Sequence, residues 1–348
     1  MHLGRIGLLG AGLALLMAGG WLCIGKAQET PPVPLRYRIT DLGTLGGDES
    51  VASGINDRGQ VVGASKLTFS LRKVHACLWE QGRKVDLGVL SGEPRGTESW
   101  ANAINAGGQI VGMKSVPRDN DLFDPKTEDH AVLWERGKMI ALGGHALSAT
   151  MLPHAINAVG TIVGAASFQG HSGAFMFAGG KLTRLEGLQQ ARGINAAGQV
   201  VGTDGKDASL WDHGKLVSLG MHGVAVAINA GGEIAGTGTP KTGMPHAFLW
   251  RTGNAEDIGT LGGPQSFAIA LNDAGQVVGE SEYGATDDAR NRHAFLYTDG
   301  KMIDLNSLLL PHSGWELLSA TAINNKGQIV GSGRIHDVEH AYLLTPLP

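Results

Sequence analysis

Seven near-copies of one ten-residue phrase, spaced a blade's length apart in a glycine-rich chain without helical patterning, predict an all-β fold. The expected architecture is a seven-bladed β-propeller with four-stranded blades and an N-terminal strand completing the last blade. The phrase reads "GINDRGQVVG" from 54, "AINAGGQIVG" from 103, "AINAVGTIVG" from 155, "GINAAGQVVG" from 193, "AINAGGEIAG" from 227, "ALNDAGQVVG" from 270 and "AINNKGQIVG" from 322. Its Asn residues are Asn56, Asn105, Asn157, Asn195, Asn229, Asn272 and Asn324, spaced 34 to 52 apart with a mean of about 45, the length of one four-stranded blade. Gly supplies 54 of 348 residues, 42% are hydrophobic and only 17% are charged, too apolar for disorder and too punctuated for helices.

Each repeat can be read strand by strand. Strand a precedes the Asn ("SVASGIN", "SWANAIN", "SFAIALN"), with Gly or Ala almost always two and four residues before it. Small side chains suit the crowded innermost strand. The "NxxG" turn follows: Asn accepts a left-handed or side-chain-capped turn, and the Gly supplies positive φ. Strand b is "QVVGAS" or "QIVGSG". After a variable insert comes strand c: "HACLW" at 75, "HAVLW" at 130, "GAFMF" at 173, "ASLW" at 208, "HAFLW" at 246, "HAFLY" at 293 and "HAYLL" at 340. A short turn leads to strand d, as in "KVDLG" or "KMIDLN". These short β-branched or aromatic runs are bounded by Gly, Asn and Asp, as strands are. The last repeat lacks a strand d, and "RYRITDLGTLGG" from 36 reads as a strand d with no blade before it. The N-terminal strand should therefore close the ring and leave no free sheet edge there.

The strand c signature with "INxxGQIVG" resembles the HAF-type extracellular repeat family of bacteria, over residues 36 to 348. The resemblance implies export and a repetitive β fold, and no catalytic residues. Gly173 and Asp207 take the His place in two repeats, so the His is not required in every one.

Residues 1–27 differ from the rest. A short basic start at Arg5, an apolar run and a terminal "GKA" read as a signal peptide cut after Ala27, which places the protein in a secreted or periplasmic compartment. Left uncut, the run would serve as a membrane anchor. Residues 28–35 form a short linker and 36–348 a single propeller, expected as a monomer. Removing the leader takes away Arg5 and Lys26 and leaves 26 basic against 32 acidic residues. With no basic run, nucleic-acid binding is disfavoured. One cysteine, Cys77, then remains, so no internal disulfide can form, and stability must come from core burial.

Function is expected where the repeats disagree. The a–b and c–d turns are short and share one face; the long b–c and d–a connections share the other. On that second face Trp100, with Glu93, Arg95 and Glu98 nearby, and Trp315, with His312 and Glu316, are the candidate ligand-binding groups for a glycan or protein partner. The alternative for both rings is cover for the upper core. A polysaccharide hydrolase or lyase would need two carboxylates about 5–10 Å apart; Glu98 and Glu316 are the candidates. A structural envelope protein with no discrete ligand is the third reading. The acidic inserts carrying Asp119, Asp121, Asp124, Asp129, Asp287 and Asp288 offer oxygen ligands of the kind calcium takes, but "DNDLFD" lacks the glycine and terminal Glu of a calcium-hand loop, so solvated charges and no cofactor are expected. His75, His130, His246, His293 and His340 sit on different repeats, too far from a common point for one metal. A hydrogen bond from each ring to nearby backbone or turn is expected. The seven Asn side chains, spread around a ring, are read as turn-formers that do not converge on a ligand. Trp79, Trp134, Trp211 and Trp250 are expected to pack between blades.

Overall fold

Strand a of every repeat is bulged, and that irregularity explains the second glycine of the repeated phrase. The pairing of a with b slips one residue at the same place each time, as between Ala52 and Gly54, Ala101 and Ala103, or Ala268 and Ala270. A bulge bends its strand and turns a carbonyl toward its partner. A Cβ on Gly63, Gly112, Gly164, Gly202, Gly279 or Gly331 would stand 1.8–2.0 Å from a strand a carbonyl oxygen, and on Gly236 2.4 Å. Only glycine fits. The small residues two before each Asn answer a second crowding, between neighbouring inner strands: a Cβ on Gly54 would lie 3.4 Å from the Cα of Ala103, and one on Gly193 3.2 Å from the Cα of Ala227.

A computed structural model describes residues 35–348, apart from 69–73, 90–91, 95, 118–126, 143–150, 169, 240–242 and 285–290. The expected signal peptide, and the expected linker apart from Leu35, lie outside the described residues. Among the described residues, all sheet pairs are antiparallel neighbours in sequence except one. That one is Tyr37–Asp41, which pairs with Val338–Pro346 in the order N-terminal strand, c, b, a of the last repeat. Tyr37 is buried there with Leu305, Leu317 and Tyr342. The ends of the chain are thus joined by main-chain hydrogen bonds within one sheet. The core lies between successive sheets: Val62 and Ala76 of the first repeat pack on Ala101 and Ile110 of the second, and Val61 and Cys77 on Val330 and Ala341 of the last. This radial stacking of sheets around an axis makes the chain an all-β propeller.

The expected division into seven four-stranded blades is corrected by the sheets themselves. Five blades are separate four-stranded sheets, and the remaining strands form one seven-stranded sheet. The fourth and fifth repeats merge because the 14-residue strand Lys215–Ile228 runs unbroken from an outer position into an inner one. His222 pairs with Asp207 on one side and Thr239 on the other. Elsewhere an insert or turn separates d from a. Here "SLGMHGVAVAI" has no insert, so the ladder never breaks.

Among the strand c tryptophans, Trp79 and Trp134 are buried, Trp211 packs half-buried against the third repeat, and Trp250 packs half-buried between the fourth and fifth. Cys77 is fully buried, and burial pushes its thiol up to about 12, leaving it unreactive.

Gly112→Ala should lower the unfolding free energy by about 1–3 kcal/mol or more, since a methyl group at 1.9 Å from the Trp100 carbonyl must displace backbone. Gly137→Ala, whose Cβ would meet nothing within 4 Å, isolates the positive-φ cost of about 1 kcal/mol. Equal losses for the two in urea unfolding would contradict the bulge account.

Candidate functional site

The seven "NxxG" turns meet around the axis of the propeller. Each Asn is 4–6% exposed, and both its side-chain oxygen and its nitrogen are hydrogen-bonded. Oδ1 accepts the backbone N–H four residues on, as at Gln60, Gln109 and Gln276. Nδ2 donates to the main-chain carbonyl of the Asn in the next repeat. These bonds run Asn56 to Asn105, Asn157, Asn195, Asn229, Asn272, Asn324 and back to Asn56, at 3.0–3.4 Å. In six repeats Nδ2 also reaches the Gln or Glu side chain four residues later, for example Gln109 at 2.7 Å. The Gly three residues after each Asn has φ between 71° and 84°. All seven turns line one axial pocket of about 360 Å³. Their Asn amides are committed to the belt, so the pocket's individuality lies in the residues beside them.

The opposite face carries the sequence candidates. Trp100, near the start of strand Glu98–Ile104, is half-buried and borders a recess of about 160 Å³ with Glu49, Ser50, Val51, Ser65, Lys66 and Val74. Lys66 Nζ is 2.8 Å from Glu49 and 3.4 Å from Asp48; the Glu49 bond holds its ammonium above the usual lysine value. Trp315 differs. Half-buried, it packs edge-on against the buried Tyr342, ring centroids 6.2 Å apart, on the core of the last repeat. Glu93 forms an ion pair with the nearly buried Lys114. His312 sits exposed in a left-handed turn at φ 62°. Arg95 lies outside the described residues, as do Asp119, Asp121, Asp124, Asp287 and Asp288; Asp129 is in strand c, opposite Ser115.

The two carboxylates named for hydrolysis stand on the inner strands of different repeats. Glu98 begins strand a of the second repeat and Glu316 strand a of the seventh, with the first repeat's Ser50–Ile55 between them. Glu316 has its own partners, Arg334 at 3.5 Å and His293 Nε2 at 4.0 Å. Among the described residues no three His, Cys, Asp or Glu side chains are grouped to hold a metal.

Four of the strand c histidines bond to the carboxylate that ends strand d or its N-terminal counterpart. His75 Nδ1 meets Asp86 at 2.9 Å, His246 meets Asp257 at 2.8 Å, His293 meets Asp304 at 2.7 Å, and His340 meets Asp41 at 3.0 Å. Each Asp also caps the backbone N–H two residues on, at Gly88, Gly259, Asn306 and Gly43. The pair therefore locks the c–d hairpin to the d–a connection. A spacing of eleven residues in three repeats was the available sequence signal. In the fourth repeat the roles reverse: Asp207 takes the His place and His222 binds it at 2.5 Å. Burial alone would raise the Asp304 carboxyl, but the bonds from His293 and Asn306 outweigh it and hold it below its ordinary value. On the inner strands, His154 donates from Nδ1 to the Ala191 carbonyl at 2.8 Å, and burial lowers its pKa.

No family model matches the chain, and no curated protein matches it in sequence. Among solved structures it is similar to the β-propeller domain of the trilobed protease from Pyrococcus furiosus, with 11% identity and a TM-score of 0.47 over 72% of this chain and 83% of that one. It is also similar to Trypanosoma rangeli sialidase in complex with the inhibitor DANA (10% identity, TM-score 0.43, 86% of this chain and 55% of that one). A third is the acylaminoacyl peptidase of Pyrococcus horikoshii (11%, 0.41, 76% and 54%). The chain spans about half the length of the sialidase and of the peptidase.

Asn105→Ala leaves a buried carbonyl and a backbone N–H without their partners and should cost at least about 2 kcal/mol in denaturant unfolding. His246→Gln, at a partly exposed pair, should cost under about 1 kcal/mol; the reverse order would contradict the belt as the dominant tie. His154 titrates below the ordinary histidine value in the fold, so the unfolded chain binds its proton first as pH falls. Stability from this residue is present above about pH 6.5 and declines below it. His154→Asn keeps the bond to Ala191 and should flatten the stability profile between about pH 7 and 5; an unchanged slope would exclude His154 as its source.

Proposed function

We propose that the protein is an exported bacterial propeller of the HAF repeat type that acts as a binding module. Its ligand, a glycan or a segment of a protein partner, is taken at the face formed by the b–c and d–a connections. The observation that carries this reading is the Trp100 recess. A half-buried indole beside Glu49 and Lys66 offers an apolar surface with charged hydrogen-bonding groups at its edge, the combination that orients a sugar ring or a side chain. The N-terminal apolar segment with its "GKA" end supports export.

A polysaccharide-directed hydrolase is less well supported, because its two carboxylates stand in repeats separated by a third and Glu316 is engaged with Arg334. Trp315, which packs edge-on against Tyr342, supports this reading less than Trp100 does.

The test is a glycan panel and an envelope-fraction pull-down with wild type, Trp100→Ala and Trp100→Phe. Wild type should retain a defined glycan or protein. The alanine variant should bind it at least about tenfold more weakly, near 1.4 kcal/mol, and the phenylalanine variant should recover most of the affinity. Full affinity in Trp100→Ala would sink this placement of the site. Trp315→Ala, by contrast, should act on stability, lowering it by about 2 kcal/mol or more.

A further inference from the structure

The axial pocket on the turn face has unequal walls. Its floor is aliphatic all round, made by the Ile or Leu that precedes each Asn. Its rim is set by the residue after each Asn. Four consecutive repeats place alanine there: Ala106, Ala158, Ala196 and Ala230. The other three, adjacent only because the ring closes, place Asp273, Asn325 and Asp57.

These three side chains form a connected arc. Asn325 donates its backbone N–H to Asp57 Oδ1 at 2.8 Å and its Nδ2 to Asp57 Oδ2 at 3.1 Å. The same Nδ2 reaches Asp273 Oδ2 at 2.9 Å. Asp273 Oδ1 accepts the Ala230 N–H at 2.9 Å, and its own N–H bonds to Asn325 Oδ1 at 2.9 Å. One amide thus holds two exposed carboxylates at a fixed separation while each oxygen keeps a lone pair free. Neither carboxylate is part of an ion pair among the described residues. Of the two cations that follow the arc in sequence, Arg58 turns toward Gly108 of the next repeat and Lys326 is exposed.

We propose that this pocket binds a small organic cation, a primary ammonium on a short aliphatic chain. The ammonium would donate to Asp57 and Asp273, and the chain would lie over the aliphatic floor on the alanine side. Charge and apolar surface are complementary in that one orientation. A volume of about 360 Å³ suits a ligand of a few carbons. This site is on the face opposite the Trp100 recess and stands independently of it.

The probes are pentylammonium, 1-pentanol and pentanoate, titrated calorimetrically into the full chain and into an Asp57→Asn, Asp273→Asn variant. These substitutions are isosteric and exposed, and far-UV circular dichroism and the unfolding midpoint check that the variant folds. Pentylammonium should bind saturably, weaken with added salt, and lose at least about tenfold in affinity in the variant. The neutral and anionic probes should bind at least about tenfold more weakly than the ammonium. The proposal is overturned if the three probes bind alike, if the folded variant keeps full affinity, if no probe saturates, or if calcium binds with the amine excluded.

Discussion

The Asn belt is the constraint on which the rest of the molecule depends. Each repeat contributes one amide, and each amide donates to the main chain of its neighbour, so seven bonds close a circle that none of the repeats can make alone. Closing it requires the inner strands to approach closely. That demands Gly or Ala beside the Asn and glycine opposite the bulge. The repeated phrase is therefore a set of coupled steric and hydrogen-bonding requirements: Asn for the belt, the first Gly for positive φ, the second for the bulge.

A second set of ties works at the other face. The His–Asp pairs fasten c to d at the outer rim, and serines such as Ser99 and Ser266 bond the strand c backbone of the preceding repeat, at Ala76 and Ala247. The reversal of His and Asp at 207 and 222 shows that the pair matters there and not which strand supplies which member. With the turn face tied by the Asn belt in every repeat and the other face by His–Asp pairs in most of them, the inserts and the rim position after each Asn are free to differ. The proposed cation site lies at such a rim position, and the Trp100 recess lies at the strand ends beside the inserts.

Strand pattern, repeat length and the N-terminal closure were legible because each rests on local periodicity or on a missing partner at the chain ends. The separation into blades was not. Whether a d–a connection breaks the ladder depends on whether two sheets diverge in space, and Lys215–Ile228 passes through without diverging. Trp100 and Trp315 read alike in sequence, each an aromatic among charges at the start of a strand. Only the presence of Tyr342 beneath one of them distinguishes recess from core.

The sequence by itself determined the repeat, its hairpins and the glycine of each turn, since these follow from spacing, backbone sterics and apolar patterning within tens of residues. Tertiary structure decided what closure brings together: the seven turns around one pocket, and Asp57 beside Asn325 across 268 positions of chain. Such contacts have no local signature, because the residues become neighbours only when the last repeat meets the first. The opening phrase is a joint seven times over, and the single letter after its Asn, where the copies differ, gives the pocket its charge.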